Sequence, residues 1–151
     1  MTNPARLLAI TALAIFALDR ISKIWIVEVM DLERLLRIEV FPPFLVLQMA
    51  WNQGINFGIP LGGPLLLAGL AVTISVVLVW WVLRRGRRVL VISAGVVVGG
   101  ALGNAFDRLY YSQAAVADFL NMSCCGIDNP FSFNVADIAI FMGAVVIAWK
   151  A

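Results

Sequence analysis

The sequence of 151 residues contains no histidine and only two cysteines, and just 13% of it is charged, against about a quarter in soluble domains. Without histidine the chain cannot build a Ser-His-Asp or Cys-His catalytic site, a two-histidine zinc site or a histidine-ligated haem. Cys124 and Cys125 are adjacent rather than spaced as in zinc or redox motifs, so we interpret them as structural or incidental. The formal net charge of +2 is too small to indicate a nucleic-acid partner.

Apolar residues are in excess, at 62% of the chain. A membrane span needs about 20 mostly apolar residues, because a helix rises only about 1.5 Å per residue. Four stretches meet this requirement, namely residues 7–30, 64–83, 89–106 and 133–149. The sequence therefore predicts an all-α membrane protein of four transmembrane helices, built from one domain over residues 1–151.

Basic residues set the predicted orientation, because the cytoplasmic loops of membrane proteins collect lysine and arginine. The turn between the second and third spans holds Arg84, Arg85, Arg87 and Arg88, so we place this turn and both termini inside. The nine acidic residues fall in the opposite loops or at the opposite helix ends, except for Asp19, which lies deeper in the first span. The predicted topology is N-in/C-in, with an acidic outer side.

The outer segment 31–63, between the first two spans, is too long for a tight turn. Apolar and charged side chains alternate over residues 36–40, with the period of two that is typical of a strand. Pro42 and Pro43 separate this stretch from a second apolar run, 44–51. We predict a small β-sheet in this loop, lying on the outer membrane surface.

Three charged residues, Asp19, Arg20 and Lys23, interrupt the first span. Asp19 and Lys23 lie four residues apart and therefore share one face of a helix. A charged side chain inside a span costs about 2.5–3.5 kcal/mol on insertion scales, which makes it a functional hypothesis by default. Either the pair neutralises itself while Lys23 extends to the outer interface, or it supports a site on the outer side.

Polar residues also gather where the third span ends and the fourth begins. Asn104, Asp107 and Arg108 share a helical face at the outer rim, after glycines whose four-residue spacing favours close helix packing. Asn134 and Asp137 lie three residues apart at the start of the fourth span, where Asn134 could also serve merely as a helix cap. Because the two helices run antiparallel, we expect both groups to lie at similar depth.

A further carboxyl group, Asp118, lies in an apolar part of the connection between these two spans. Burial there predicts a raised pKa for Asp118. Two neighbouring carboxyls in a partly dry site share a proton, so that one deprotonates water while the other protonates a carbonyl or leaving group. This is aspartyl peptidase chemistry, with Asp137 as one partner. Spacing leaves the other partner open between Asp107 and Asp118, although Arg108 beside Asp107 weakly favours a structural role for Asp107.

Five short stretches carry a family resemblance. They are Asp19-Arg20-Ile21-Ser22-Lys23, Trp51-Asn52-Gln53-Gly54-Ile55-Asn56-Phe57-Gly58, residues 99–108, Val116-Ala117-Asp118-Phe119 and Phe133-Asn134-Val135-Ala136-Asp137. In this order, and with four spans, they resemble bacterial lipoprotein signal peptidase, also called signal peptidase II, over essentially the whole chain. Two departures are that Asn56 stands where the family usually has alanine, and that the connection 121–130 lacks the expected aromatic residues.

The resemblance implies an aspartyl endopeptidase of the bacterial inner membrane that needs no metal or other cofactor and is blocked by globomycin. Such an enzyme removes signal peptides from diacylglyceryl-modified prolipoproteins, among membrane lipid on the periplasmic side, by cutting just before the lipidated cysteine. By position, the resemblance makes Asp118 and Asp137 the catalytic pair. It assigns the substrate site to Asn52, Gly54, Asn104, Arg108 and Asn134, and structural support to Asp19, Lys23 and Asp107.

Two other functions fit parts of the same pattern. In a small proton-coupled transporter, Asp19, Asp107 and Asp137 would form a relay. In a noncatalytic scaffold, the glycine-rich third span would bind other helices. A relay needs carboxylates spread across the bilayer, whereas all but Asp19 are predicted at one rim. We therefore favour the peptidase.

Overall fold

The computed structural model describes residues 3–54 and 63–151. Most of these residues are helical, and one small sheet lies at one end of the helices. In chain order the elements are α1 (Pro4–Lys23), which continues as a π-helical segment (Ile24–Val29), α2 (Leu32–Leu35), β1 (Arg37–Phe41), β2 (Leu45–Asn52), α3 (Pro64–Arg85), α4 (Arg88–Tyr110), β3 (Val116–Asn121) and α5 (Val135–Lys150).

Local chemistry explains where the helices begin and end. The Asn3 side chain caps α1 by accepting a hydrogen bond from the Ala5 amide at 2.9 Å, and Pro4 occupies the first turn, where no amide donor is needed. Gly86 ends α3 with φ of +66°, a conformation that glycine adopts without a Cβ clash. Both α3 and α4 are long and apolar enough to cross a membrane.

The four long helices lie over the four stretches predicted as spans, and most of their ends are shifted by a few residues. The third span was predicted to stop at residue 106, but α4 continues for one more turn to Tyr110. The helix continues because Asp107 is neutralised by cations of α1 and Arg108 donates to the carbonyl of Asn104 one turn earlier. The fourth helix, α5, begins at Val135 rather than at residue 133.

Helix α4 lies at the centre and packs against α1, α3 and α5. Its glycines allow this close packing. A Cβ atom on Gly99 would lie 2.5 Å from the carbonyl oxygen of Ala12 in α1, and one on Gly100 would lie 2.6 Å from that of Ala136 in α5. Backbone therefore meets backbone on two sides of α4, which sets α1 and α5 at fixed positions around it.

The sheet has three antiparallel strands in the order β1-β2-β3. Strands β1 and β2 confirm the sheet predicted in the first outer loop, but that prediction was incomplete because β3 comes from the connection between α4 and α5. Asp118 in β3 lies opposite Ala50 in β2. One face of the sheet packs on the π-helical segment and on α2, through residues such as Val27, Leu32 and Phe119. The sheet therefore joins the segment between α1 and α3 to the connection between α4 and α5, and it fixes Asp118 near the end of α4 and the start of α5.

Candidate active site

Asp137 is held by the start of helix α5. Asn134 is the N-cap residue, and its side-chain oxygen accepts a hydrogen bond from the Asp137 amide at 2.9 Å. The Asp137 carboxylate accepts in return from the Asn134 amide at 3.2 Å. This reciprocal capping box satisfies two amides at the helix start and fixes the direction of the Asp137 side chain.

The same asparagine also reaches Asp118. Asn134 Nδ2 donates to Asp118 Oδ1 at 2.6 Å and to Asn104 Oδ1 at 3.2 Å. Asn104 Nδ2 in turn donates to Asp137 Oδ1 at 2.9 Å. Two amide side chains thus connect the carboxyls of Asp118 and Asp137, and Asn134 is both a helix cap and a member of the site.

Strand β2 and the residues after it close a second side of this site. Asn52 Nδ2 donates to Asp118 Oδ2 at 3.2 Å, while Asn52 Oδ1 accepts from the Gly54 amide at 3.1 Å. Arg108 donates to the Gly54 carbonyl at 2.7 Å and to the Asn104 carbonyl at 3.1 Å. Arg108 Nε is buried and has no hydrogen-bond partner among residues 3–54 and 63–151. One donor of the guanidinium is therefore left inside the site.

The surroundings of Asp118 raise its pKa, so that its carboxyl stays protonated up to about neutral pH. Asp118 is only 3% exposed. Burial, reinforced by the negative charge of Asp137, raises the pKa of Asp118 to about 7, although hydrogen bonds from Asn134 and Asn52 and the charge of Lys23 act in the opposite direction. A carboxyl that titrates near neutrality can act as either acid or base.

A buried cluster of two acids and two bases lies beside these residues. Lys23 Nζ lies 2.8 Å from Asp19 Oδ2 and 2.6 Å from Asp107 Oδ2, and Arg20 forms an ion pair with the same Asp107 carboxylate. The Lys23 side chain is fully buried. The interpretation in which Lys23 extends to the outer interface was therefore wrong, because two carboxylates hold its ammonium group inside.

Asp19, which the sequence predicts to lie deeper than the other acidic residues, contacts the start of α5. Asp19 Oδ1 accepts a hydrogen bond from the Ala136 amide in the first turn of α5 at 3.1 Å. This contact brings its carboxylate to the level of that turn, which also contains Asp137. The cluster reaches the site through Lys23 Nζ, which donates to Asn104 Oδ1 at 3.2 Å.

Asp107 and Asp118, the two candidate partners of Asp137, have different surroundings. Asp107 contacts the cations of α1, and its Oδ2 accepts from the Ala117 amide at 3.2 Å. It thereby holds β3 one residue before Asp118. Asp118 instead shares Asn134 with Asp137. One side chain, Asn134, thus lies between Asp118 and Asp137, whereas two side chains, Lys23 and Asn104, lie between Asp107 and Asp137.

The sequence analysis gave Arg20 no role. Besides its ion pair with Asp107, Arg20 lies over the rings of Phe106 and Tyr111, with its guanidinium carbon 5.0 Å and 5.9 Å from their centroids. The signal that could have identified Arg20 is its spacing of three residues from Lys23, which places both cations on the same side of α1. Asn56, one of the two departures, lies outside the described residues.

Comparisons with known proteins place this geometry in context. Residues 11–151 match the family of signal peptidase (SPase) II. A lipoprotein signal peptidase of Rhodopseudomonas palustris (strain ATCC BAA-98 / CGA009) is 38% identical, over 99% of this chain and 93% of the relative. One of Methylorubrum extorquens (strain PA1) is 40% identical, over 90% and 80%. A solved bacterial membrane enzyme superposes with a TM-score of 0.79 at 26% identity, covering 93% of this chain and 84% of the other.

Proposed function

Because the chain belongs to the signal peptidase II family of proteases, which remove signal peptides, we propose that its substrates are diacylglyceryl-modified prolipoproteins, cut just before the lipidated cysteine. Its relatives are lipoprotein signal peptidases, and family membership does not favour the transporter alternative. The observation that carries the proposal is the hydrogen-bonded connection of Asp118 to Asp137 through Asn134 and Asn104.

In the proposed mechanism, Asp118 and Asp137 form an aspartyl dyad that shares one proton. The ionised carboxylate takes a proton from water as the water oxygen attacks the scissile carbonyl carbon, and the protonated carboxyl donates to the carbonyl oxygen. When the tetrahedral intermediate collapses, the C–N bond breaks and a proton passes to the leaving amine. The products are a signal peptide with a new carboxylate and a lipoprotein with a free amino group on its lipidated cysteine.

Three asparagines, a glycine and an arginine would position the substrate. Asn52, Asn104 and Asn134 surround the dyad from β2, α4 and the start of α5, and they can hydrogen-bond an extended peptide backbone. The Arg108 guanidinium can bind a carbonyl of the peptide or of the lipid ester through its fork of donors, while the Gly54 carbonyl orients it. The sheet would clamp the peptide from one side, because β2 brings Asn52 to Asp118.

Asp19, Lys23 and Asp107 would support this arrangement rather than react. They connect α1 with α4, β3 and the first turn of α5 through buried charges. Breaking one buried pair costs about 3–5 kcal/mol, because the remaining partner is left uncompensated. We therefore expect substitutions at these positions to reduce activity by destabilising the folded protein.

We further propose four membrane spans with both termini inside, in one domain over residues 1–151. In bacteria this arrangement puts the enzyme in the inner membrane and its site on the periplasmic side. Large apolar side chains face outward on all four helices, for example Leu13 in α1, Val76 in α3, Leu109 in α4 and Phe141 in α5. Exposed side chains of this kind suit contact with lipid, which would also hold the acyl chains of the substrate.

The test is cleavage of a diacylated peptide by the purified protein in lipid, with and without globomycin and beside the same peptide without lipid. We expect cleavage before the lipidated cysteine, inhibition by globomycin, and slow cleavage of the unlipidated peptide because it lacks the membrane anchor that orients the scissile bond. Equal rates on both peptides would instead indicate a general membrane peptidase.

Variants then assign the residues. Asp118→Asn and Asp137→Asn should each reduce the rate at least ~100-fold, the lower range for loss of general acid–base catalysis. Asn52→Ala and Arg108→Ala should reduce the rate of cleavage by less, about 10- to 100-fold, since each leaves a polar group unpaired. The matched control is Asp128→Asn, because Asp128 is an exposed carboxylate in the connection between β3 and α5. Normal turnover in either dyad variant would remove that residue from the mechanism.

A further inference from the structure

The end of the molecule opposite the site concentrates basic side chains. Helix α4 has 23 residues, or about 34 Å of helix, and the arginine-rich turn 84–88 lies at its start. The end of α5 lies beside this turn, because Arg87 donates to the carbonyl of Lys150. The ion pairs formed within residues 3–54 and 63–151 involve none of the arginines in this turn. No aspartate or glutamate among the described residues therefore neutralises their charge.

Two of these arginines stack on tryptophans of α3. The guanidinium carbon of Arg84 lies 4.3 Å from the ring centroid of Trp80, and that of Arg85 lies 4.8 Å from the ring centroid of Trp81. Stacking uses the flat face of a guanidinium and leaves the N–H donors at its edge. Both arginines are exposed, and Arg85 also reaches the Ala151 carbonyl at 3.4 Å. The tryptophans thus hold two sets of donors at the end of α3.

An apolar groove of about 400 Å³ runs along α3 beside these donors. It is lined by Thr73, Ile74, Val77, Leu78, Trp80 and Trp81. A groove of this size is in the range of small-ligand sites. Its apolar wall suits a hydrocarbon chain, and its arginine end suits a negative group. The amphipathic molecule that combines these two properties in a membrane is an anionic phospholipid.

We propose that this groove and the stacked arginines form a binding site for one anionic phospholipid. The phosphate accepts hydrogen bonds from the guanidinium edges of Arg84 and Arg85, and one acyl chain lies along the groove against Trp80 and Trp81. Each arginine near a membrane surface contributes about fivefold to affinity for anionic lipid, so the pair contributes about 25-fold. A zwitterionic phospholipid has no net charge and binds more weakly.

The experiment is native mass spectrometry of the full chain released from detergent, titrated separately with phosphatidylglycerol, phosphatidylcholine and inorganic phosphate. We expect one saturable phosphatidylglycerol, about 25-fold weaker phosphatidylcholine binding, and no displacement of the lipid by inorganic phosphate. Arg84→Gln with Arg85→Gln should weaken phosphatidylglycerol binding about 25-fold. Trp80→Leu should also weaken it, since the leucine removes a groove wall and a stacking partner.

The matched control removes two positive charges elsewhere, through Arg6→Gln with Arg34→Gln. Both residues are exposed, and Arg6 lies near the inner start of α1 in the proposed topology. The control should bind phosphatidylglycerol within twofold of the parent. Equal losses in the two double variants would overturn the site in favour of general charge attraction. Equal binding of both lipids would overturn the site as well. So would a dimer of the protein that phosphatidylglycerol does not dissociate, because a second copy would then cover the groove.

Discussion

The titration of Asp118 gives the dyad a defined pH dependence. Because burial and Asp137 raise the pKa of Asp118 to about 7, this carboxyl is protonated below that pH and ionised above it. The proposed mechanism needs one proton on the dyad, so loss of that proton removes the general acid. We predict that kcat/KM falls above about pH 7, approaching tenfold per pH unit. Rates measured from pH 5 to 9 on the diacylated peptide test this, and a profile that stays flat to pH 9 contradicts it.

Asp107 and Asp118 should respond differently to the same substitution. Asp107→Asn leaves Lys23 and Arg20 without their shared carboxylate, so we expect a loss of stability of about 3–5 kcal/mol together with lost activity. Asp118→Asn should remain folded and inactive. Thermal unfolding in detergent measures both effects. If Asp107→Asn is fully stable but inactive while Asp118→Asn cleaves the peptide, Asp107 is the partner of Asp137.

The Asp118→Asn variant should also differ from the parent protein in how its free energy of unfolding depends on pH. The ordinary pKa of an aspartate carboxyl is 3.8, and the folded protein raises the pKa of Asp118 to about 7. Between these values the folded state holds a proton that the unfolded state has lost, so stability falls as pH rises through this window. Because asparagine does not titrate, Asp118→Asn lacks this decrease in stability with rising pH. The variant should therefore equal or exceed the parent in stability at pH 8.

At the residue scale, the sequence could predict which polar residues gather but not how they pair. Spacing placed Asn104, Asp107 and Asn134 near one another, but the choice between Asp107 and Asp118 depends on contacts with α1. The cations of α1 are separated from Asp107 by more than 80 residues, and helical periodicity carries no information about such distant pairs. The cap considered for Asn134 is present, since its side-chain oxygen accepts from the Asp137 amide, and its Nδ2 donates to Asp118 at the same time.

At the scale of elements, the glycines of α4 set the distances between helices. The nearest atoms to a Cβ on Gly99 or Gly100 are backbone oxygens, which cannot move without shifting a whole helix. A Cβ on Gly69 in α3 would have nothing within 4 Å, so Gly69→Ala is a matched control. We predict that Gly99→Ala and Gly100→Ala each destabilise the protein by about 1–3 kcal/mol. Gly69→Ala should be neutral or stabilising by up to about 1 kcal/mol.

Thermal unfolding midpoints of the three alanine variants in one detergent measure these differences. Peptide cleavage by the variants that remain folded adds a second observation, because a shift of α1 or α5 also moves the groups around Asp137. If Gly99→Ala and Gly100→Ala unfold at the same temperature as Gly69→Ala, the packing explanation fails.

The sequence pattern identified β1 and β2 as strands but not β3, for a physical reason. A strand with one face in water alternates apolar and polar residues, as residues 36–40 do. Five of the six residues of β3 are buried, so both faces are covered and the alternation is lost. The pairing partner of β3 is also non-local, because β2 lies about 70 residues earlier. The sequence therefore placed Asp118 in a loop, and only the tertiary structure places it in a sheet.

At the scale of the whole molecule, the native cysteines provide a test of the proposed topology. Cys124 and Cys125 are the only cysteines in the chain, and both are exposed in the connection between β3 and α5. In the proposed topology this connection lies outside. We predict that a membrane-impermeant maleimide labels the reduced protein on intact spheroplasts, but labels inverted vesicles only after detergent is added.

The control for this labelling is a cysteine on the other side. Replacing both native cysteines by serine should abolish labelling, and adding Arg6→Cys to that variant should restore it only in inverted vesicles. Arg6 is exposed in the first turns of α1, which suits it to this purpose. Labelling of the native cysteines from the inside would reverse the proposed orientation and move the site to the cytoplasmic face.

The charge cluster beside the site also bears on how the protein is made. During synthesis α1 emerges first, and within its buried cluster Arg20 and Lys23 face the single carboxylate of Asp19, which leaves one positive charge in excess there. The balancing carboxylate, Asp107, belongs to α4 and emerges more than 80 residues later. In the proposed four-span topology, we therefore expect α1 to settle at its final depth after α4 arrives, because one uncompensated charge in a span costs about 2.5–3.5 kcal/mol. The order of insertion would then follow charge, with the earliest helix completing its insertion late.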